Sequence, residues 1–189
     1  MRRLAEELGA EAMSLYYHVA KKEDVLDGIV DVVAEEVNDA AARVDSGPDW
    51  KGTARRRILA ARQVFLRHRW APGLFATRSS TSMAVLEYYD NLVALMREDG
   101  FSHDRIHHAL HALGSRALGF TQELFDPGTG ASAEVPAEVA ERLPNLVGML
   151  SEIAHDDPDS TLGWCDDQAE FEFGLDLILD GLDRLRERD

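Results

Sequence analysis

The chain has 189 residues, 45% of them hydrophobic and 29% charged, with a formal charge of −15. That length suits one large domain or a small head on a larger body, and neither a membrane-length run of ~20 apolar residues nor a basic-then-apolar secretory start is present. Cys165 is the single cysteine, which excludes an intramolecular disulfide and a Cys-rich metal site; a cytoplasmic protein with no cofactor is expected.

In chain order, Leu4, Ala5 and Leu8 fall on one helical face, Gly9 stops that helix, and a short apolar-aromatic helix follows over Ala12 to His18. This is helix-turn-helix spacing, in which the second helix enters the major groove and shows its first side chains to base edges. The first helix begins without a Ser, Thr, Asp or Asn cap. Lys22 to about Arg43 forms a connector helix, with Val25, Ile29, Val32, Val33 and Val37 on one side and acids on the other. Ser46-Gly47-Pro48 breaks the chain, which places a head at 1–45 and a body at 49–189, with Asp49 as N-cap of the next helix.

The body opens with Trp50 to Trp70, rich in arginine. A basic helix suggests nucleic acid, but its cations spread around the helix, so pairing with the acidic body is the favoured reading. Ala71-Pro72-Gly73 ends it, and Leu74 to Arg78 forms a short turn. Ser82 to Asp99 is a helix carrying Met83, Leu86, Tyr89, Leu92, Val93 and Met96, closed by Gly100. Ser102 caps a helix running to about Phe125. Along it Ile106, Leu110, Leu113, Ala117 and Phe120 recur at spacings of 4, 3, 4 and 3. Pro136 and Pro144 divide Glu134 to His155 into short helices. The last helix, Gln168 to Arg186, carries Phe171, Leu175, Ile178, Leu182 and Leu185, with Gly174 and Gly181 beside that seam. Two seam-bearing helices per chain suggest a four-helix interface in a two-fold homodimer, or burial of both seams within one subunit. The fold class is all-α.

Charge is divided unevenly. Residues 1–78 hold 13 Lys and Arg against 12 Asp and Glu, whereas residues 79–189 hold 7 against 23. A neutral head with clustered cations on an acidic body can bind DNA locally, with the body's field discouraging contact elsewhere.

The run from Leu4 to Asp27, LAEELGAEAMSLYYHVAKKEDVLD, resembles the DNA-binding domain of the tetracycline-repressor family. Leu4, Ala5, Leu8, Gly9, Ser14, Leu15, Tyr16, His18, Val19, Lys22 and Leu26 carry the likeness. The helices around His103 to Phe120 and Phe171 to Leu185 are similar to that family's dimer-forming pair. The resemblance implies DNA contacts at Ala12, Met13, Ser14, Tyr16, Tyr17 and His18, with Arg2 and Lys22 on backbone phosphates. Ser14 and Tyr16 can bond phosphate or base edges, whereas Ala12 and Met13 offer apolar contact. One of the two tyrosines is expected in the head's core. The family pattern also has a helix and a basic arm ahead of this run, so residues are expected before Met1. Without them Leu4, Leu8, Val19 and Leu26 would each forfeit ~1.5–3 kcal/mol of burial.

The resemblance further implies an effector site near Asn38, Arg56, Leu74, Thr77, Met83, Leu86, Tyr89 and Glu123, and a dimer interface through Leu110, Leu113, Ala117, Phe120, Leu175, Ile178, Leu182 and Leu185. In tetracycline-binding members an imidazole near the Thr-Arg pair ligates the drug-bound magnesium. Here Thr77-Arg78 is present but Leu74 holds the imidazole's place, Asn38 replaces another imidazole, and Arg56 and Ala60 replace an amide and an aromatic. Glu123 matches an outer carboxylate that cannot hold magnesium without inner ligands. Tetracycline–magnesium is therefore not the expected effector.

His103, His107 and His111 stand at i, i+4 and i+8, a spacing from which pairs could chelate a metal; a solvated or interface face is the expected role, with no metal site. No nucleophile elbow, phosphate loop or dinucleotide fingerprint occurs, so no catalytic residue is assigned. The expectation is a repressor that binds a palindromic double-stranded DNA operator and is released by a small molecule. The alternatives are a helical interaction or sensor module without DNA binding, or an all-helical enzyme.

Overall fold

The computed structural model describes residues 1–78, 82–119, 137–153 and 167–186, and among these the regular structure is entirely helical. The order is α1 (Arg2–Glu7), α2 (Ala12–Leu15), α3 (Lys22–Ala42), α4 (Trp50–Arg67), α5 (Ala71–Ala76), α6 (Met83–Glu98), α7 (His103–Gly119), α8 (Ala137–Arg142), α9 (Pro144–Ile153) and α10 (Asp167–Arg186).

Local chemistry explains where these helices begin and end. Past α1, Gly9 adopts φ +64°. The Gly9 amide donates to the Glu6 carbonyl and the Ala10 amide to the Ala5 carbonyl, at 3.1 and 2.9 Å. This is the Schellman closure, which satisfies orphan carbonyls and needs a residue that tolerates positive φ. The same device closes α6. Gly100 sits at φ +93°, its amide bonds to the Arg97 carbonyl, and the Phe101 amide bonds to the Met96 carbonyl. Asp49 caps α4 by accepting from the Gly52 amide at 2.7 Å, and Ser82 and Ser102 accept from Val85 and Arg105.

Three local expectations need correction. The second helix ends at Leu15 rather than His18, and Tyr16 to His18 form a turn held by bonds to the carbonyl three residues back. Pro72 stands in the first turn of α5 instead of ending α4, because a first-turn proline gives up only an amide the helix does not use. On α3 the buried side is Val30, Val33, Ala34, Val37 and Ala41, while Val32 is exposed.

Two apolar clusters hold the body together. The larger joins α4, α6, α7 and α10 through Trp50, Ile58, Met96, Phe101, Ile106, Leu113, Phe171, Leu175 and Leu179. At its centre the Trp50 and Phe101 rings meet edge to face at 4.7 Å. The Trp50 indole N–H reaches Asp183 at 3.1 Å, which satisfies the donor its burial would otherwise strand. The smaller cluster joins α3 to α4 and α5 through Val33, Val37, Ala61, Val64 and Ala71. The connector helix is thus packed on the body beyond the break at 46–48.

Two arginines and the lysine of α4 pair with acids of other helices. Arg55 donates to Asp176 and Glu172 on α10, each at 2.6 Å. Lys51 pairs with Asp180, and Arg67 with Glu36 of α3. The basic face of α4 is an internal counterpart to the acidic α10, the reading favoured from composition.

Candidate functional site

The head presents the predicted DNA-facing residues to solvent. Arg2 at the start of α1 and Lys22 at the start of α3 are exposed, and so are Met13, Tyr16, Tyr17 and His18. Tyr17 is 88% exposed and Tyr16 is also outside the core, so neither tyrosine packs inward as expected: a helix of four residues is too short to fold a second face under. Ala12 and Ser14 are half-buried, and the Ser14 hydroxyl donates to the Glu11 carbonyl at 2.6 Å, leaving its lone pairs for an outside donor. Among the apolar residues of α1, Ala5 is buried while Leu4 and Leu8 are exposed.

α3 connects this head to the body over 21 residues, ~30 Å at helical rise. Near its start Asp27 receives Arg78 Nη1 at 3.3 Å, a tie to the segment after α5. In its middle, Glu36 accepts from His68 Nε2 at 3.1 Å and from Arg67 at 3.3 Å, both at the end of α4. The His68 contact is the main cause holding the Glu36 carboxyl below its ordinary pKa. On the opposite side Ala34 and Val37 face an apolar chamber.

That chamber lies among α3, α4, α5, α6 and α7. It is lined by Ala34, Val37, Ile58, Ala61, Phe65, Phe75, Val85, Tyr88, Tyr89, Leu92, Leu110, Leu113, Gly114 and Ala117, with a volume of about 70 Å³. Phe65 and Phe75 meet edge to face at 5.7 Å on its wall. Tyr88 and Leu92 also line an adjoining polar cleft of about 270 Å³ that holds Asn38, Arg57 and Asn91. Neither space alone reaches the ~300–1,000 Å³ typical of ligand pockets, and Tyr88 and Leu92 form the wall between them. Burial is the main cause raising the Tyr88 phenol above its ordinary pKa, with Tyr89 adding to it and Arg57 opposing.

Of the residues expected around the effector, Tyr89 lines the chamber and Asn38 lines the cleft. The others do not. Arg56 is exposed and donates to the Asp45 carbonyl at 3.2 Å, bracing the 46–48 turn. Leu74 is half-buried outside the lining, and the Thr77 hydroxyl is engaged with the Leu74 carbonyl at 2.8 Å. Met83 and Leu86 are exposed. The miss on α6 is one of rotation: Met83 and Leu86 turn outward, while Val85, Tyr88, Tyr89 and Leu92 line the chamber, and both sets are apolar in sequence. Only packing against α3 and α4 selects between them. Glu123 and Phe120 lie outside the described residues.

The expected interface residues divide similarly. Leu113, Leu175 and Leu182 are buried in the subunit's own core, with Leu175 at 0% exposure, so they cannot also meet a partner. Leu110 and Ile178 pack against that core, and Leu110 and Ala117 line the chamber. Leu185 is exposed. The outward apolar stripe of α10 is instead Phe173 and Leu177, 65% and 55% exposed, and it continues past Gly181, whose surroundings are open. Gly174 faces inward: the Arg116 guanidinium occupies the space a side chain would need, as Arg116 reaches the Glu170 carbonyl. On α7 the His107 and His111 rings lie 4.7 Å apart on an exposed face. Among the described residues no group of three or more His, Cys, Asp or Glu is placed to hold a metal, and no helix is long and apolar enough to cross a membrane.

A short helix pair is thus joined by one long helix to a body that encloses an apolar chamber. The chain belongs to the tetracycline-repressor family. Residues 45–186 match the family model described as "Tetracyclin repressor-like, C-terminal domain". An HTH-type transcriptional regulator of Saccharopolyspora erythraea is 35% identical over 119 residues, which are 63% of this chain and 49% of that protein, so the match spans about half of that relative. The class D tetracycline repressor protein of Escherichia coli is 27% identical over 183 residues, 96% of this chain and 78% of that one. A solved structure of a possible TetR family transcriptional regulator from Streptomyces coelicolor is similar with a TM-score of 0.72 and 30% identity, covering 97% of this chain and 88% of that one.

Proposed function

We propose that this chain reads a palindromic DNA operator as a homodimer in the cytoplasm and acts as a transcriptional repressor released by a small, largely apolar molecule. The observation that carries the reading is α3. One helix bears Lys22 beside the reading head, lines the chamber with Ala34 and Val37, and reaches the polar cleft with Asn38. A molecule filling the chamber bears directly on the helix that positions the head. In a dimer, two heads held ~34–36 Å apart match successive major-groove half-sites. A ligand that favours another spacing weakens DNA binding, and by linkage DNA weakens ligand binding by the same factor.

The effector is not tetracycline–magnesium in this reading. Leu74 offers no metal ligand, and among the described residues no imidazole or carboxylate lines the chamber. Calorimetry showing micromolar binding of that complex would overturn this part. The function as a whole is tested by operator selection from random duplex DNA with the full-length protein at low salt, repeated with candidate effectors. Palindromic enrichment that an effector abolishes is expected; no enrichment would sink the repressor reading.

A further inference from the structure

The polar cleft beside the chamber contains two buried, unpartnered groups of opposite kind. Arg57 Nε is enclosed without a hydrogen-bond partner, and so is Asn38 Oδ1. The orientation of the Asn38 amide is set independently, because its Nδ2 donates to the Ala84 carbonyl at 2.8 Å, which leaves the oxygen as the free acceptor. Arg57 stands apart from its neighbours on α4. Lys51 and Arg55 pair with acids of α10, Arg56 is bonded to the Asp45 carbonyl and Arg67 is paired with Glu36. Among the described residues no carboxylate lines the cleft that Arg57 and Asn38 share. Glu98 and Asp99 line a second crevice that Arg57 and Asn91 also border, where Asp99 is taken by Arg186 and no ion pair joins Glu98 to Arg57 among the described contacts. Among the described residues no carboxylate pairs with this half-buried guanidinium, which leaves it able to take an anion from outside.

We propose that this cleft is the polar end of the effector site and binds the carboxylate of an aromatic hydroxy acid. The anionic group accepts from Arg57 and the neighbouring hydroxyl donates to Asn38 Oδ1. The ring passes between Tyr88 and Leu92, which line both spaces, into the chamber walled by Phe65 and Phe75. The inference rests on reading the chamber as the effector site, and it adds a charge requirement that an apolar chamber alone does not carry.

The test uses 1-hydroxy-2-naphthoic acid, its methyl ester and 2-naphthoic acid as probes, titrated into the full chain by calorimetry near neutral pH. The hydroxy acid is expected to bind about 10- to 100-fold tighter than the ester, the range of one charge-assisted hydrogen bond. Arg57→Gln erases that preference by weakening the acid far more than the ester, and Arg57→Lys, which keeps the charge without the Nε donor, retains part of it. Asn38→Ala removes the preference for the hydroxy acid over 2-naphthoic acid. An unchanged thermal midpoint in each variant confirms that the fold is intact. Equal binding of acid and ester, no binding of either, or a preference that survives Arg57→Gln overturns the proposal. Operator release is read separately: an acid bound through Arg57 that leaves DNA binding untouched would refute the repressor reading and leave this subsite standing.

Discussion

Arg78 Nη1 lies 3.3 Å from Asp27 Oδ1, joining the segment that follows α5 to the first turns of α3. Arg78 is largely buried and its Nε has no partner, whereas the Asp27 side chain is 43% exposed. The pair therefore joins the helix that follows the head to the segment just past α5, whose Phe75 lines the chamber. Replacing Asp27 by Asn is expected to cost no more than about 1 kcal/mol of global stability, because the carboxylate is well solvated. It should free the start of α3 locally. Hydrogen exchange at residues 22–30 is expected to quicken with the body unchanged, and unaltered exchange there would show that the ion pair does not tether the helix.

Carboxylates that hold α4 to its neighbours make the fold sensitive to acid. Glu36 is lowered chiefly by its bond to His68, Asp180 by Lys51, and Glu172 first by Gln168 and then by Arg55. A folded pKa below the unfolded value gives stability that is present above the unfolded pKa and lost as pH falls through the folded one. Thermal midpoints should thus be level near neutrality and fall from about pH 4 downward, where unfolded carboxylates take up protons. Glu36→Gln should flatten part of that fall, and an identical acid profile in the variant would remove this pair from the account.

The junction of α6 with α7 is a second test of packing. Phe101 follows the positive-φ Gly100, is fully buried, and meets both Met96 and the Trp50 ring. Phe101→Ala should destabilise by about 3–5 kcal/mol in urea denaturation. A loss below about 1 kcal/mol would mean the cluster closes over the gap.

On α10 the two faces separate folding from assembly. Leu177→Arg, on the exposed stripe with Phe173, is expected to give monomers in sedimentation velocity with little change in unfolding. Leu175→Ala, in the core, is expected to cost about 2–5 kcal/mol of stability and to leave assembly intact at low denaturant. Dimers that persist in Leu177→Arg would direct attention away from this stripe.

Much of this architecture is legible in the chain itself, because the signals are local. Gly9 and Gly100 mark helix ends through a positive φ that only glycine adopts cheaply, Asp49, Ser82 and Ser102 mark helix starts, and the apolar rows of α7 and α10 announce packed helices. The motif from Leu4 to Asp27 likewise carries its own spacing, so the short helix pair follows from sequence, whereas the outward turn of both Tyr16 and Tyr17 does not. What only the tertiary structure decided is which of two plausible faces each helix buries. Along α6 and α10 apolar residues occupy more than one row, and a helical period cannot choose between rows that are both apolar. Packing against α3 and α4 turned Tyr88 and Leu92 inward in place of Met83 and Leu86, and packing against α7 buried Leu175 and left Phe173 and Leu177 outside. Arg57 was equally invisible: in the sequence it is one arginine among six between Trp50 and Trp70, and that it has no acidic partner among the described residues is evident only in the folded chain.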